Sequence, residues 1–112
     1  MAVLPAQVVI GYRPYRIEEW SAAAASGAGK FGEVCHTSFL IKIRSDVDAI
    51  EIANTLLHEI LHCCWRNGVL DEKDDEERVV LVLANQLLQV WRDNPAVVAF
   101  MTGAMQPKKL KV

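Results

Sequence analysis

Hydrophobic residues recur with two different spacings along the chain, and the change of spacing separates a strand-forming part from a helical part. Apolar runs at residues 8–10 and 12–17 have the composition of extended segments. Within residues 33–44 an alternating pattern is carried by three apolar residues, Phe39, Ile41 and Ile43. Alternation with a period of two predicts one or two strands with one buried face and one wet face.

The segments around these runs carry turn and helix signals. Pro14 cannot donate to a strand ladder, so we expect the strand around it to be bulged or to lie at a sheet edge. Residues 18–25, EEWSAAAA, favour a short helix, whereas residues 26–32, SGAGKFG, are typical of a loop.

The rest of the chain has helical spacing. Ser45 or Asp46 is the predicted N-cap of a long helix that runs to about Arg66 and ends at Asn67-Gly68. A second long helix begins in the acidic segment DEKDDEE and stops at RDNP, after which a short helix follows. This order predicts an α+β protein in which a small twisted β-sheet packs on two long helices plus a short C-terminal helix, as one domain over residues 1–112.

Composition and charge narrow the functional classes. Hydrophobic residues make up 52% of the chain and the formal net charge is −2, which is typical of a globular domain and gives no support for nucleic-acid binding. We find no apolar run of 18 residues and no basic leader, so we expect no membrane segment and no signal peptide. Three cysteines, two of them adjacent, favour a reduced chain and a cytoplasmic location. The basic end KKLK, residues 108–111, is expected to be a solubilising tail.

The candidate chemistry lies in the first long helix, in the sequence LLHEILH. His58 and His62 are four residues apart, so a helix places both imidazoles side by side at the edge of its apolar stripe, which is formed by Ile50, Ala53, Leu57, Ile60, Leu61 and Cys64. Two such nitrogens suit zinc, and a carboxylate after the first histidine can take a proton from water that the metal acidifies. The pattern predicts a zinc site with His58 and His62 as ligands and Glu59 as general base. The alternative is a pair of exposed helix histidines beside a solvated glutamate.

A third ligand has to come from another part of the chain. No histidine follows His62, so a downstream ligand must be a carboxylate, as in His₂Glu zinc sites. On a helical wheel, Glu77 falls in the middle of an apolar face made of Val80, Leu81, Ala84, Leu87, Leu88 and Trp91. A carboxylate directed at a core is costly unless a cation pairs with it, so we favour Glu77, with Glu76 at the margin of that face as the alternative. Both residues are also typical of a helix N-terminus without a metal.

The sequence LLHEILH, followed after fourteen residues by ERVVLVLAN, resembles the gluzincin metallopeptidases, whose third ligand is a Glu on the next helix. The chain is most similar to small phage- and prophage-encoded zincins and to the ImmA/IrrE-type peptidases. In those proteins apolar or small residues stand three, six and seven positions after the Glu, as Val80, Leu83 and Ala84 do here. The resemblance covers residues 55–95 and is thinner over the strands. It implies a minimal zincin-like fold, Zn²⁺, hydrolysis of peptide bonds, and a peptide or protein substrate bound along an edge strand by β-addition.

One departure from that family favours a different function. Larger gluzincins place a Tyr or His near the metal to stabilise the oxyanion, and neither residue follows Glu77 in this chain. Tyr12, Tyr15 and His36 are left as candidates from the strands, although a lone strand histidine such as His36 is more typical of packing or of the surface. The alternative function is therefore a non-catalytic zincin-fold binding or regulatory protein, with a structural metal or with none.

Overall fold

The computed structural model describes residues 4–106, so the basic segment 108–111 lies outside the described residues. In chain order the elements are β1 (Gln7–Ile10), β2 (Arg13–Trp20), α1 (Ala22–Ala28), β3 (Gly32–Cys35), β4 (Leu40–Arg44), α2 (Ala49–Asn67), α3 (Glu76–Asp93) and α4 (Pro95–Ala104). The predicted α+β class is confirmed. Across the described part of the chain, no helix is both long enough and apolar enough to cross a membrane.

The strands form one mixed sheet in the order β1-β2-β4-β3. The pair β2 and β4 is parallel, and the other two pairs are antiparallel. Ile41 and Ile43 on β4 are buried, as the alternating pattern predicts, and Tyr15 and Ile17 on β2 are buried as well. Helix α2 packs on the sheet, and α3 and α4 contact α2. The sheet therefore has one face in the core, and its two edges are β1 and β3.

The outer edge of β1 is occupied by side chains from the end of α3. The Val9 N–H donates to Asn94 Oδ1 at 2.7 Å, and Asn94 Nδ2 donates back to the Val9 carbonyl at 3.0 Å. The Gly11 N–H donates to Gln89 Oε1 at 2.8 Å. Pro14 is opposite Val9 of β1, in the part of β2 that extends beyond the pairing of β2 with β4. Its lack of an N–H therefore removes no hydrogen bond between two strands. Within the described residues, β3 is the strand whose outer edge stays free.

Two predicted helix starts are wrong. Residues 18–20 continue β2, where Glu18 and Glu19 pair in register with β4, so the short helix begins only at Ala22. Ser21 caps that helix, since its hydroxyl accepts from the Ala24 N–H. Helix α2 begins after Asp48, two or three residues beyond the predicted caps, because the Asp48 carboxylate accepts from the N–H at the third helical position.

The end of α2 is where predicted, but the reason for its glycine is different. Gly68 has φ −83°, outside the left-handed region, and the left-handed residue is Val69 with φ 54°. A Cβ on Gly68 would overlap the side chain of Val82 on α3. Gly68 is therefore required by the close crossing of α2 and α3 and not by backbone conformation.

Helix α3 has two apolar sides, and the buried one is not the predicted one. The side that packs inward carries Val79, Val82, Leu83, Gln86, Leu87 and Val90. Most of the predicted face is exposed to solvent, with exposed fractions of 56% at Val80, 58% at Leu81, 73% at Leu88 and 37% at Trp91, whereas Leu87 of that face packs inward. The inward side is preferred because its polar members find partners. Gln86 accepts from Asn67 Nδ2 at 2.6 Å, and Gln89 at its border bonds to β1.

Candidate metal centre

Helix α2 presents the two histidines as the sequence predicts. His58 and His62 are exposed, their Nε2 atoms are 3.1 Å apart, and their ring centroids are 4.8 Å apart. Glu59 lies on the inward side of the same turn and is only 6% exposed. The i, i+4 spacing therefore places both imidazoles at one point of the surface, with a buried carboxylate next to them.

These three side chains are close enough to share one ion. A ligand atom from each of His58, Glu59 and His62 lies within 4.8 Å of the others. Two ligand nitrogens at tetrahedral positions around one zinc ion would be about 3.3 Å apart. The observed separation of 3.1 Å between the histidine nitrogens is close to that value, so the group can hold a metal ion without rearrangement of α2.

A polar cavity of about 590 Å³ lies between α2 and β3 and is lined by all three residues of the group. Gly32 lines this cavity and lies close to α2. A Cβ built on Gly32 would lie 2.6 Å from Thr55 Cγ2 and 3.3 Å from Glu59 Oε2. Glycine at this position therefore allows the strand to lie directly against the helix that carries the candidate site.

The free edge of β3 faces this cavity. The Arg44 N–H donates to the Phe31 carbonyl at 2.8 Å, which identifies residues 31 and 44 as a hydrogen-bonded pair of the antiparallel ladder. Since such pairs alternate along a ladder, the main-chain groups of Gly32 and Val34 point away from β4. Both residues line the cavity. An extended chain can therefore pair with β3 beside the His–Glu–His group.

The carboxylate of Glu59 is held in a setting that disfavours its charge. Burial is the main cause that raises its pKa above the ordinary value, and the positive field of His58, His62 and Lys30 partly opposes that rise. No hydrogen bond to the Glu59 carboxylate is found within the described residues, and none is among the main causes of its pKa shift. A buried carboxylate with a raised pKa, open to a polar cavity, is suited to accepting a proton from water.

The opposite wall of the cavity contributes a third histidine, His36, from the turn after β3. Its Nδ1 is 3.2 Å from the hydroxyl of Tyr15, and the two rings meet edge to face at 6.1 Å. Burial lowers the pKa of His36, and nearby Arg66 and His62 lower it further. Burial raises the pKa of Tyr15 to about 12, so its hydroxyl keeps its proton at neutral pH. The sequence indicated packing or surface for His36 and did not show that it shares a cavity with the pair.

The predicted third ligand is not brought to the histidines. Glu77 and Glu76 are both exposed in the first turn of α3, and neither belongs to the group that can share an ion. The helical wheel groups Glu77 with Val80, Leu81 and Leu88, and these residues are exposed. Leu83 lies next to His58 and His62. Glu76 is seven residues before Leu83, or about two helical turns, so these two residues share one side of α3, and Glu77 is turned about 100° away from Glu76. A carboxylate ligand from α3 stays a prediction.

A second, apolar cavity of about 450 Å³ lies on the other side of the histidines, between α2 and α3. Leu61, Trp65 and Leu83 line it together with His58 and His62. The two imidazoles thus stand between a polar cavity beside the sheet and an apolar cavity beside α3.

The adjacent cysteines do not take part in the group. Cys63 and Cys64 are buried in the core, and burial raises the pKa of their thiols to about 12 and about 11. Thiols that hold their protons this firmly are poor metal ligands, which need the thiolate form. Cys63 and Cys64 therefore contribute to the core of the protein and not to the candidate site.

Fold and site together define an α+β protein with a His–Glu–His group, able to hold a metal ion, beside the free edge of its sheet. No protein-family model, curated protein or solved structure matches the chain. The resemblance to the gluzincins therefore rests on the sequence motifs, and the site has to be judged by its own chemistry.

Proposed function

We propose that this protein is a zinc-dependent peptidase of the gluzincin type, which hydrolyses peptide bonds in a peptide or protein substrate in the cytoplasm. The observation that carries the proposal is the position of Glu59. Its buried carboxylate opens into the same cavity as both imidazoles, and no described protein group competes for it. A solvated glutamate next to two surface histidines, which is the alternative, would have none of these properties.

In this proposal His58 and His62 hold the zinc ion through their Nε2 atoms, and a carboxylate at the start of α3 completes the set. When bound, zinc supplies a Lewis acid that lowers the pKa of water to about 7. Glu59 takes the proton of the attacking water and passes it to the nitrogen of the departing amine. The raised pKa of Glu59 supports both roles, because a base that is too weak would not capture the proton.

The substrate is proposed to lie along β3. The main-chain groups of Gly32 and Val34 are available at the free edge, so an extended peptide can add there as a further strand. This placement brings a peptide bond past Glu59, whose Oε2 would lie 3.3 Å from a Cβ built on Gly32. The other edge of the sheet is not available, because Asn94 and Gln89 already bond to β1.

The test is metal content by elemental analysis together with cleavage of casein. We expect about one zinc per chain in the wild type, and the same content in Glu59→Gln, with cleavage reduced by a factor of about 10² to 10⁴. Glu19→Gln, an exposed carboxylate on β2, is the matched control and should retain both properties. Loss of zinc in Glu59→Gln would identify that carboxylate as a ligand and not a base.

The third ligand is decided by a pair of variants. The sequence favours Glu77, and the phase of α3 favours Glu76, which shares the side of Leu83. Glu77→Gln and Glu76→Gln should therefore differ, and the one that loses zinc identifies the ligand. If both variants bind as much zinc as the wild type, the ion is held without α3.

A second candidate function is a non-catalytic metal-binding protein with the same scaffold. The observation that favours it is that neither Glu76 nor Glu77 belongs to the group, which consists of two imidazoles and Glu59. A wild type that binds zinc stoichiometrically but does not cleave casein or a peptide mixture would support this function. A wild type that binds no zinc would refute the metal site on which both candidate functions depend.

A further inference from the structure

The outer side of α3 carries a continuous apolar stripe. Val80, Leu81, Leu88 and Trp91 are between 37% and 73% exposed, and Ala84 lies exposed between them. On a helix that turns 100° per residue, these five residues fall within an arc of about 100°. Single exposed apolar side chains are ordinary on a protein surface, whereas a contiguous patch is typical of a surface that binds a partner.

The stripe is large enough for a small interface. Its four large side chains leave roughly 400 Å² of apolar surface in water, within the range of about 300 to 600 Å² of the largest patch on a monomer, which is often functional. Two such stripes in contact, with the polar residues along their borders, would bury about 1,000 to 1,200 Å² in total. This area is at the low end of specific interfaces, so we expect an association that dissociates on dilution.

The spacing within the stripe fits a second copy of the same helix. Leu81, Ala84, Leu88 and Trp91 follow one another at intervals of three, four and three residues, which is the spacing of helices that pack along a common seam. Two antiparallel copies related by a two-fold axis at the level of residue 86 place Ala84 of one copy opposite Leu88 of the other. The same axis places Leu81 opposite Trp91. In both pairs a smaller side chain faces a larger one, so the helices can approach without leaving a void.

The charges at the start of α3 favour the antiparallel arrangement. Residues 74–77 carry four consecutive carboxylates, of which Asp74 is paired with Arg78 at 3.0 Å. Two parallel copies would bring eight carboxylates to the same end of the interface. Two antiparallel copies keep the acidic segments about 30 Å apart, which is several times the Debye length of about 8 Å at physiological ionic strength.

We propose that α3 forms the interface of a symmetric homodimer, in which the exposed stripes of two copies of this chain pack antiparallel. The interface does not depend on the proposed peptidase function, because no residue of the stripe belongs to the His–Glu–His group. Mass action separates the copies on dilution, so the chain is a monomer at about 1 μM. Urea denaturation at that concentration therefore measures the monomer, to whose stability the exposed stripe contributes little.

The first test is sedimentation equilibrium in EDTA, which prevents metal ions from bridging the exposed histidines of two chains. The mass should rise from 12.5 kDa towards twice that value between about 5 and 500 μM chain. Leu88→Lys places a charge in the contact and should raise the dissociation constant at least about tenfold. Ile50→Lys, at an exposed apolar residue in the first turn of α2, is the matched control and should dimerise as the wild type does.

Two results of this test would overturn the proposal. A wild type that stays at 12.5 kDa over the whole range would leave the stripe to a different protein. A Leu88→Lys variant that dimerises as strongly as the wild type would show that the copies meet at another surface.

The second test determines the direction of the helices by disulfide crosslinking in a Cys35→Ser background, since Cys35 is the exposed native thiol. A mixture of Ala84→Cys and Leu88→Cys chains should crosslink faster than either variant alone, because residues 84 and 88 face each other across the axis. Ala23→Cys, at an exposed alanine of α1, is the control and should not crosslink with Ala84→Cys. If each variant crosslinks with itself as fast as in the mixture, the antiparallel arrangement is wrong.

Discussion

The approach of β3 to α2 can be tested by adding a single carbon at Gly32. A Cβ at this position would lie 2.6 Å from Thr55 Cγ2 and 3.2 Å from the Lys42 carbonyl oxygen. Carbon atoms in good contact are about 3.5 to 4.0 Å apart, so the first of these contacts is a severe overlap. Gly32→Ala therefore has to push the strand away from the helix or rotate Thr55.

Neither movement is easy. Thr55 is buried, and its hydroxyl donates to the Glu51 carbonyl at 2.8 Å, which holds its rotamer. The Lys42 carbonyl belongs to β4, which pairs with the strands on both sides. Overpacking of this kind costs about 1 to 3 kcal/mol, and the lower entropy of an unfolded alanine returns at most about 1 kcal/mol. We expect the free energy of unfolding to fall by about 1 to 2 kcal/mol, or Tm by about 4 to 12 °C for a domain of this size.

Urea denaturation of the wild type and four variants tests this contact between strand and helix. Gly27→Ala is the matched control, because a Cβ at Gly27 on α1 meets no atom within 4 Å. Thr55→Ser removes the obstructing methyl and keeps the hydroxyl, so the double variant with Gly32→Ala should recover about 1 kcal/mol relative to the sum of the single changes. If Gly32→Ala is as stable as Gly27→Ala, or if the double variant shows no recovery, the close contact between strand and helix is wrong.

Three further outcomes follow from the same structure. Since burial raises the pKa of Glu59, its ionised form destabilises the metal-free fold, and stability is lost as the pH rises above the ordinary carboxyl value of about 4.3. Glu59→Gln should therefore have a higher Tm than the wild type at pH 7, and this difference should disappear near pH 4. A Tm difference that does not depend on pH would contradict burial as the cause. Leu88→Lys, at a residue that is 73% exposed, should change the free energy of unfolding by less than about 0.5 kcal/mol, whereas Val90→Ala, at a fully buried residue, should lower it by about 2 kcal/mol. The reverse order in urea denaturation would show that the face predicted by the helical wheel is the buried one. Val69→Gly should be neutral or up to about 1 kcal/mol more stable in the same assay, because a left-handed φ of 54° strains valine, and clear destabilisation would refute that strain.

Much of the candidate site could be predicted because its first part is local. His58, Glu59 and His62 lie within a little more than one helical turn, and the periodicity and capping residues around them predict that helix. The same local rules predict α3 and α4 closely, since Asp75 caps one helix and Pro95 opens the other. Spacing on a rigid helix is a property of the sequence, and so the pair of imidazoles could be placed before the fold was known.

The third ligand shows where local reasoning fails. Helix α3 carries two apolar stripes, and a helical wheel cannot say which of them meets the core. The packed stripe is the one whose neighbours Gln86 and Gln89 can bond to Asn67 and to the edge of β1. Packing of that stripe turns Glu77 outward with the other stripe. A helical wheel cannot predict this, because the hydrogen-bond partners of Gln86 and Gln89 lie about 20 to 80 residues away in the chain.

By itself, the sequence determined the α+β class, the helices and the His–Glu–His spacing, because each follows from periodicity and capping over a few residues. Only the tertiary structure decided which residues lie opposite the His–Glu–His group. It placed Gly32 against Glu59, left the edge of β3 free, and set His36 on the opposite wall with its ring held by Tyr15. These contacts join residues 21 to 27 positions apart, and they form only when the sheet register and the packing of α2 are settled together.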